Sequence, residues 1–331
     1  MTQLTPQEIW NLNKREFLNL LETGIFKPRH SEIRFYAPSF THYKTKHFCS
    51  STTDFPTISV TGNSCALNCK HCGGKVLETM HPALSPQELF ELGVKLKQNG
   101  AKGCLVSGGC LADGSVPLKG FLPVLGRFKR ELGLTVFVHT GIINSETAVA
   151  LKETGIDAAL VDVIGSAETV RKIYNLNVNV QDYCDSLEAL QNAKLNFVPH
   201  VIVGLNGGEL DGEMQALQMI QQVKPSAIVI IAFMPIHDTA MAKTPPPKPA
   251  DIAKVVSMAR LMFPHTPLVL GCMRPKGLER IETDVLVLRA GIDAVAFPSE
   301  AAVEYARGRG YEIIFSPYCC AQMYVDAAKS C

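Results

Sequence analysis

The chain has 331 residues, 47% of them hydrophobic, and its 32 Lys and Arg against 31 Asp and Glu give a formal net charge of +1. A chain of this length can bury a large core, either as one α/β barrel or as two domains. The near-zero charge gives no reason to expect a nucleic-acid partner, and no apolar run of about 18 residues predicts a membrane span. We therefore expect a protein or small-molecule substrate.

The first residues contain no basic start followed by an apolar segment, so no signal peptide is predicted. We therefore expect a reducing, cytoplasmic compartment. In such a compartment the 11 cysteines are expected to act as metal ligands before they form disulfides.

Residues 1–55 are predicted to be an N-terminal extension. Thr5-Pro6 is expected to start a helix that runs to about Thr23 and stops at Gly24. An aromatic-rich segment follows and ends in Cys49. Two interpretations of this segment remain open, a belt packed against a barrel or a cap that covers the substrate. Its aromatic residues are Phe35, Tyr36, Phe40, Tyr43 and Phe48.

From Thr57 onward, short β-branched or apolar segments alternate with amphipathic helical segments, which predicts βα units around a parallel sheet. Helices such as 86–99 and 251–263 lie between most of the candidate strands. Eight such units fit a TIM-type (β/α)8 barrel, whose active site forms at the C-terminal ends of the strands. The proline-rich stretch 244–249 is predicted to be a stiff βα loop. The candidate strands are 57–61, 103–107, 134–138, 157–163, 197–203, 226–233, 267–271 and 292–297.

Three cysteines follow the first candidate strand: Cys65, Cys69 and Cys72, in a C-x3-C-x2-C spacing. Three thiolates on one loop can hold three irons of a [4Fe-4S] cube, which normally has four Cys ligands, and leave the fourth iron open to a small molecule. A zinc site, or a disulfide with one free thiol, is the alternative. Zinc sites usually have four ligands and favour paired C-x2-C units.

The spacing and position of this triplet resemble the radical S-adenosylmethionine (SAM) enzymes. In that superfamily SAM chelates the open iron, and an electron cleaves it to a deoxyadenosyl radical. Members usually carry an aromatic residue directly before the third cysteine, where this chain has His71. The resemblance implies a [4Fe-4S] cluster, SAM and an external electron donor. It also implies a TIM-type (β/α)8 or partial (β/α)6 barrel over residues 56–310, with the extension before it and a cysteine-bearing tail, residues 311–331, after it.

Two glycine motifs extend the resemblance. Ser107, Gly108 and Gly109 follow the second strand. They are similar to the Gly-Gly motif that binds the amino group of SAM, with a tight loop as the alternative. The stretch that ends in Val203 and Gly204 is similar to the family's Gly-x-Ile-x-Gly motif near adenine, where the valine would supply apolar contact and the glycine clearance.

Three further residues at strand ends are candidates for binding cofactor or substrate. Asp162 could contact a ribose or the substrate, or could be a helix cap or loop carboxylate. Met234 could flank the adenine, although core packing explains it equally well. Arg274 could clamp a carboxylate with a bidentate pair, or could form a surface ion pair.

The remaining loop and terminal cysteines predict a second [4Fe-4S] cluster. Cys319 and Cys320 lie in the tail, and the first and last segments of a closed barrel are neighbours, so Cys49 could join them. Cys110 and Cys272, on loops at the same barrel mouth, could contribute as well. No second C-x2-C unit is present, so these ligands must come from distant positions in the chain.

Together these motifs resemble the biotin-synthase-related radical SAM proteins, in particular the two-protein lipoyl synthases first recognised in archaea. The resemblance covers most of residues 57–320. It implies a sulfurtransferase that inserts sulfur at C6 or C8 of an octanoyl group on a carrier protein or lipoyl domain, together with a second radical SAM partner protein. The alternatives are another one-cluster biotin-synthase-like enzyme and a non-catalytic iron–sulfur redox protein.

Overall fold

The computed structural model describes residues 4–39, 41–51 and 53–329. Phe40 of the aromatic segment and the final Cys331 lie outside these ranges. Eleven strands form one sheet in which every neighbouring pair is parallel. The strands are β1 Glu32–Tyr36, β2 Thr57–Ser59, β3 His81–Pro82, β4 Gly103–Ser107, β5 Thr135–His139, β6 Ala158–Asp162, β7 Phe197–Val203, β8 Ile228–Ala232, β9 Leu268–Leu270, β10 Ala294–Ala296 and β11 Glu312–Ser316.

Helices separate most of the strands. The predicted helix from Thr5 to about Thr23 is wrong in one respect: it is two helices, because Asn13 caps the second one and forms a capping box with Glu16. The helices are α1 Pro6–Asn11, α2 Lys14–Glu22, α3 Pro86–Gln98, α4 Leu122–Arg130, α5 Ser145–Thr154, α6 Ala167–Ile173, α7 Val180–Asn192, α8 Glu213–Gln221, α9 Pro249–Met262, α10 Leu278–Arg289, α11 Glu300–Gly308 and α12 Met323–Lys329, with 3-10 turns at Lys75–Thr79, Lys119–Phe121 and Cys320–Gln322. None of the described helices has the length and apolar character that a membrane span requires.

The sheet is an open, partial barrel. Its strand order is β11-β1-β10-β9-β8-β7-β6-β5-β4-β2-β3, so among the described residues β3 and β11 form its two edges. All eight predicted strands are present, and the partial-barrel alternative is confirmed. The sheet curls until its two ends approach each other, because the ring of Phe55, before β2, lies 5.9 Å from the ring of Tyr318, after β11.

The predicted boundaries at residues 55 and 311 do not coincide with the edges of the sheet. Strand β1 belongs to the segment predicted to be an extension, yet it lies between β10 and β11. Strand β11 belongs to the predicted tail and pairs with β1 over five residues. The aromatic segment after β1 packs on this end of the barrel, where Phe48 stacks on Phe315 at 5.0 Å between ring centroids.

The strands bury apolar side chains on both faces, as expected for a parallel sheet. The outward faces pack against the helices in one large cluster. The inward faces form a second cluster, whose wall includes Phe137, Leu160 and Val198. The C-terminal segment fills the inside of the barrel, because Cys320 and Met323 belong to this inner cluster.

The C-terminal segment runs from the mouth of the barrel, where the strands have their C-terminal ends, to the opposite end. It leaves β11 at Ser316, and the hydroxyl of Tyr324 donates to the carbonyl oxygen of Asp157, the residue before β6, at 2.7 Å. The hydroxyl of Tyr36 donates to Asp326 Oδ2 at 2.8 Å. Both hydrogen bonds therefore anchor the far end of the segment, around residues 324 and 326, to the barrel.

Candidate functional site

The three-cysteine loop lies at the mouth of the barrel, directly after β2. Cys69 is buried, while Cys65 and Cys72 are half-buried. The backbone N–H of Gly73 donates to the carbonyl oxygen of Cys69 at 2.7 Å, which closes a tight turn around the second and third cysteines. One ligand atom each of Cys69, His71 and Cys72 lies within 4.8 Å of the others, so the loop gathers soft metal ligands.

The electrostatics of this loop favour a thiolate. The hydrogen bond with Cys69 lowers the pKa of Cys72 to about 4 against the opposing effect of burial, and His71 lowers it further. The same hydrogen bond, together with burial, raises the pKa of Cys69. The pair therefore holds one negative charge near neutral pH, and the thiolate is the form of cysteine that binds metals.

The Ser107–Gly109 turn after β4 packs directly on the cysteine loop. Gly109 donates its N–H to Thr61 Oγ1 at 2.7 Å. A Cβ at Gly109 would overlap the carbonyl oxygen of Ser64 and lie 2.6 Å from Cys65 Cβ. Glycine is therefore required at this position by the approach of the loop itself, before any ligand is considered.

Cys110 belongs to the neighbourhood of the cysteine loop. Its carbonyl oxygen accepts a hydrogen bond from the N–H of Ala66 at 2.8 Å. Burial, and then the nearby Cys65 and Asp162, raise the pKa of its thiol to about 12. The prediction that Cys110 joins the tail cysteines is therefore wrong, because the β4 turn holds it beside the first cysteine set.

A layer of polar side chains lines the mouth on the adjacent strands β5, β6 and β7. One ligand atom each of His139, Asp162 and His200 lies within 4.8 Å of the others. Asp162 and His200 are direct neighbours in the parallel ladder, and each of the three comes two residues after an inward-facing apolar residue. The sequence analysis identified Asp162 but assigned no role to either histidine. The alternation of side chains along a strand would have placed all three on the inner face.

The turn after β7 is built around Gly204. Its φ of +72° suits glycine, and a Cβ there would meet the ring of Pro247 at 2.5 Å, so the predicted proline-rich loop covers the turn. Buried Glu213, which the sequence analysis missed, accepts the Gly204 N–H with Oε1 at 2.8 Å. Burial raises the pKa of this carboxyl to about 7.

Two predicted cofactor contacts are wrong, and a third stays a prediction. The side chain of Val203 is fully buried in the outer cluster, on the face of β7 that points away from the barrel interior. Arg274 is also fully buried, and its Nε donates to Asp284 Oδ1 at 2.8 Å. Its guanidinium therefore has no free pair of N–H groups with which to bind the carboxylate of a ligand. Met234 is half-buried just after β8.

The chain is similar to known proteins over much of its length. A sequence profile of the radical SAM superfamily matches residues 59–219. A protein named biotin synthase from Coxiella burnetii (strain Dugway 5J108-111) is 26% identical over 253 residues, which cover 73% of this chain and 78% of that protein. These matches support a radical SAM superfamily protein related to biotin synthases. That superfamily implies a [4Fe-4S] cluster and SAM.

Solved structures share the fold of this radical SAM protein. Methylornithine synthase (PylB) superimposes with a TM-score of 0.64 at 16% identity over 94% of both chains. HydG, a maturase of the [FeFe]-hydrogenase, superimposes with a TM-score of 0.65 at 16% identity over 98% of this chain and 74% of its own. At this identity the likeness concerns the fold alone.

The residues around the cysteine loop fit the cluster that membership of the radical SAM superfamily implies. The donor set is three thiols, with one thiolate already favoured. Tyr174 packs its ring 5.0 Å from that of His71. The Tyr174 hydroxyl and His71 Nδ1 are buried without a hydrogen-bond partner among the described residues, so two polar atoms are left for a bound group.

A second set of thiols lies inside the barrel of this radical SAM protein. Cys319 and Cys320 pack with the inner cluster, as does Cys272 after β9. Burial and then the nearby Cys319 raise the pKa of Cys272 to about 11. The hydrogen bond with Cys320 lowers the pKa of Cys319. Cys49, predicted to be in this set, is instead exposed at the surface.

Proposed function

We propose that the chain is a radical SAM sulfurtransferase of the lipoyl synthase type. It would insert sulfur into an octanoyl chain on a carrier protein or lipoyl domain, as one partner of a two-protein system. One observation carries this proposal: Cys272, Cys319 and Cys320 line the inside of the same barrel that carries the Cys65–Cys72 loop at its mouth. A one-cluster radical SAM enzyme has no evident use for a second set of thiols there.

The loop from Cys65 to Cys72 is the proposed site of the radical SAM cluster. We assign Cys65, Cys69 and Cys72 as ligands of the radical SAM cluster, because they are gathered at the C-terminal ends of the strands, where barrel enzymes have their active sites. When bound, the cluster and SAM supply a deoxyadenosyl radical, with the electron coming from an external donor. The turns at Gly109 and Gly204 bring backbone close to this loop and to the mouth, which supports them as the SAM contacts.

The thiols of Cys272, Cys319 and Cys320, inside the barrel, are the proposed site of the second cluster. We assign Cys272, Cys319 and Cys320 to the second [4Fe-4S] cluster, the expected source of sulfur. The hydrogen bond between Cys319 and Cys320 lowers the pKa of Cys319 and raises that of Cys320, which makes Cys319 the easier of the two to deprotonate. Thiolates on an inward-facing tail can meet a substrate that enters from the mouth.

The proposed substrate is an octanoyl chain, which needs a radical reaction and an apolar surrounding. An octanoyl chain has no acidic proton for a general base, so a cofactor must remove hydrogen atoms from it. The inner wall is apolar below the mouth, with Phe137, Leu160 and Val198 on neighbouring strands. The C-terminal segment already covers these side chains, so the alkyl chain would lie above them at the mouth, where this apolar floor keeps water away from a reactive carbon.

The test is an anaerobic reaction of the reconstituted chain with its partner protein, SAM, a reductant and an octanoylated carrier peptide, followed by mass analysis of the peptide. We expect a product with one or two added sulfurs. The Cys319→Ala/Cys320→Ala variant should cleave SAM but add no sulfur. Cys184→Ala is the matched control, because Cys184 is a half-buried cysteine of α7 on the outer layer. SAM cleavage by the wild type without any sulfur addition would refute the proposal.

The relatives named biotin synthase support a second candidate, a biotin-synthase-like radical SAM enzyme with one cluster and another substrate. The iron content separates the two. The lipoyl synthase proposal expects about eight irons per chain, falling to about four in the Cys319→Ala/Cys320→Ala variant, whereas the second candidate expects about four in both. A Cys65→Ala/Cys69→Ala/Cys72→Ala variant should abolish SAM cleavage under either candidate. Failure of the wild type to cleave SAM would favour a redox protein.

A further inference from the structure

A cluster of nitrogen and oxygen ligands lies apart from the cysteines. His139 and Asp162 end strands β5 and β6, and His200 lies beside Asp162 on β7. One ligand atom of each lies within 4.8 Å of the other two. We propose that these three side chains bind a single divalent transition-metal ion, such as Zn²⁺ or Fe²⁺, at the mouth of the barrel.

The spacing of the first pair suits a shared ion better than a direct bond. His139 Nε2 lies 3.4 Å from Asp162 Oδ1. A charge-assisted hydrogen bond between these groups would bring them to about 2.7–2.9 Å. Two ligands that are each about 2.1 Å from a tetrahedral ion lie about 3.4 Å apart. An ion therefore fits between these atoms without moving the strands that carry them.

His200 is oriented as a metal ligand. Its Nδ1 lies 3.1 Å from the carbonyl oxygen of Val198, which assigns the proton to this nitrogen and leaves the lone pair on Nε2. Metal-binding histidines usually donate their other N–H to a carbonyl or carboxylate, which sets both tautomer and ring orientation.

The site is rigid but open on one side. All three residues lie on adjacent strands whose register sets their separation. The side chains of His139 and Asp162 remain 26% and 31% exposed towards the mouth. Two imidazoles and a carboxylate are a common ligand set for Zn²⁺ and Fe²⁺, and three protein ligands leave coordination positions free for water or substrate.

This inference does not rest on the proposed function. It competes with the prediction that Asp162 contacts a ribose, because a carboxylate that binds the ion is no longer free for that contact. It is also independent of both cysteine sets, since its ligands are nitrogen and oxygen. If the metal site fails its test, the sulfurtransferase proposal is unaffected, and the reverse also holds.

The test uses the full chain, purified anaerobically and stripped of metal with a chelator, and titrated with Co²⁺ as the probe. Co²⁺ bound by the cysteines contributes equally to wild type and variants, so the wild-type spectrum minus the Asp162→Asn spectrum isolates the site. We expect ligand-field bands of one Co²⁺ per chain with no thiolate charge-transfer band in this difference. Loss of a direct ligand should weaken that binding by about 100-fold or more.

Two further variants keep the test decisive. His200→Gln should lose the same bands, and His237→Ala, an exposed histidine away from the cluster, should keep them. Circular dichroism establishes that each variant is folded, and X-ray absorption at the cobalt edge should report two imidazole ligands in the wild type. Folded Asp162→Asn and His200→Gln chains that bind Co²⁺ as tightly as the wild type would overturn the inference. A difference spectrum dominated by thiolate bands would do the same.

Discussion

Replacing Glu213 with Gln should remove a loss of stability that the wild-type chain suffers as the pH rises. Burial raises the pKa of the Glu213 carboxyl from 4.5 to about 7, a shift of 7 − 4.5 = 2.5. Between these values the unfolded chain has released the proton and the folded chain still binds it, so the free energy of unfolding falls with increasing pH. Above about pH 7 the loss is complete.

The shift sets the size of the effect. One pKa difference of 1 corresponds to about 1.4 kcal/mol, so the full effect is about 3 kcal/mol, of which roughly 2–3 kcal/mol falls between pH 5 and pH 8. The amide of Gln can still accept the Gly204 N–H that Glu213 Oε1 accepts now, and it carries no charge to desolvate. The stability of the variant relative to wild type should therefore increase by this amount across the interval.

Urea unfolding of the metal-free chain at pH 5 and pH 8 measures this difference. Glu209→Gln is the matched control, because Glu209 is an exposed carboxylate at the same turn and its replacement should leave the pH dependence unchanged. Glu213→Ala should be less stable than the wild type by about 1–3 kcal/mol at pH 5, because it leaves the Gly204 N–H buried without an acceptor. This deficit should shrink by roughly 2–3 kcal/mol at pH 8, because alanine has no carboxyl that titrates. Parallel pH profiles for wild type and Glu213→Gln would refute the reasoning.

Three other changes have expected outcomes. Arg274→Met should cost about 3–5 kcal/mol in urea unfolding because it leaves the Asp284 carboxylate buried and unpaired, and adding Asp284→Asn should restore part of the loss. Gly109→Ala should displace the cysteine loop and lower the amount of iron that the chain binds on reconstitution. Gly120→Ala is the control, because a Cβ there would lie in open space. Equal iron content in the two variants would contradict the packing argument. Tyr324→Phe should cost about 0.5–1.5 kcal/mol through its lost hydrogen bond, and no change in urea midpoint would contradict that role.

Local patterns in the sequence were enough to predict eight of the eleven described strands and to single out the first cysteine set. Each βα unit buries a contiguous apolar strand, so its position can be deduced from composition alone. Cys65, Cys69 and Cys72 lie within eight residues of one another, so one local turn can bring them together without contacts from distant parts of the chain. Gly109 was also identified, although its requirement comes from contact with that loop.

Tertiary structure decided what long-range packing controls. The sequence of β1 is not distinctive enough to predict that it inserts between β10 and β11. Arg274 has the same local pattern whether it faces a ligand or a buried Asp284, and only the packing of α10 against the strand ends determines which.

The inside of the barrel was the least predictable part. The tail brings Cys319 to Cys272 because it enters the lumen, whereas the sequence predicted that the chain ends meet near Cys49, with Cys272 as a possible further ligand. His139, Asp162 and His200 come from three strands, and the register of the ladder brings them to one place. Spacing along the chain determines contacts only within a loop or helix. Contacts between strands depend on register and curvature, which the whole sheet sets together.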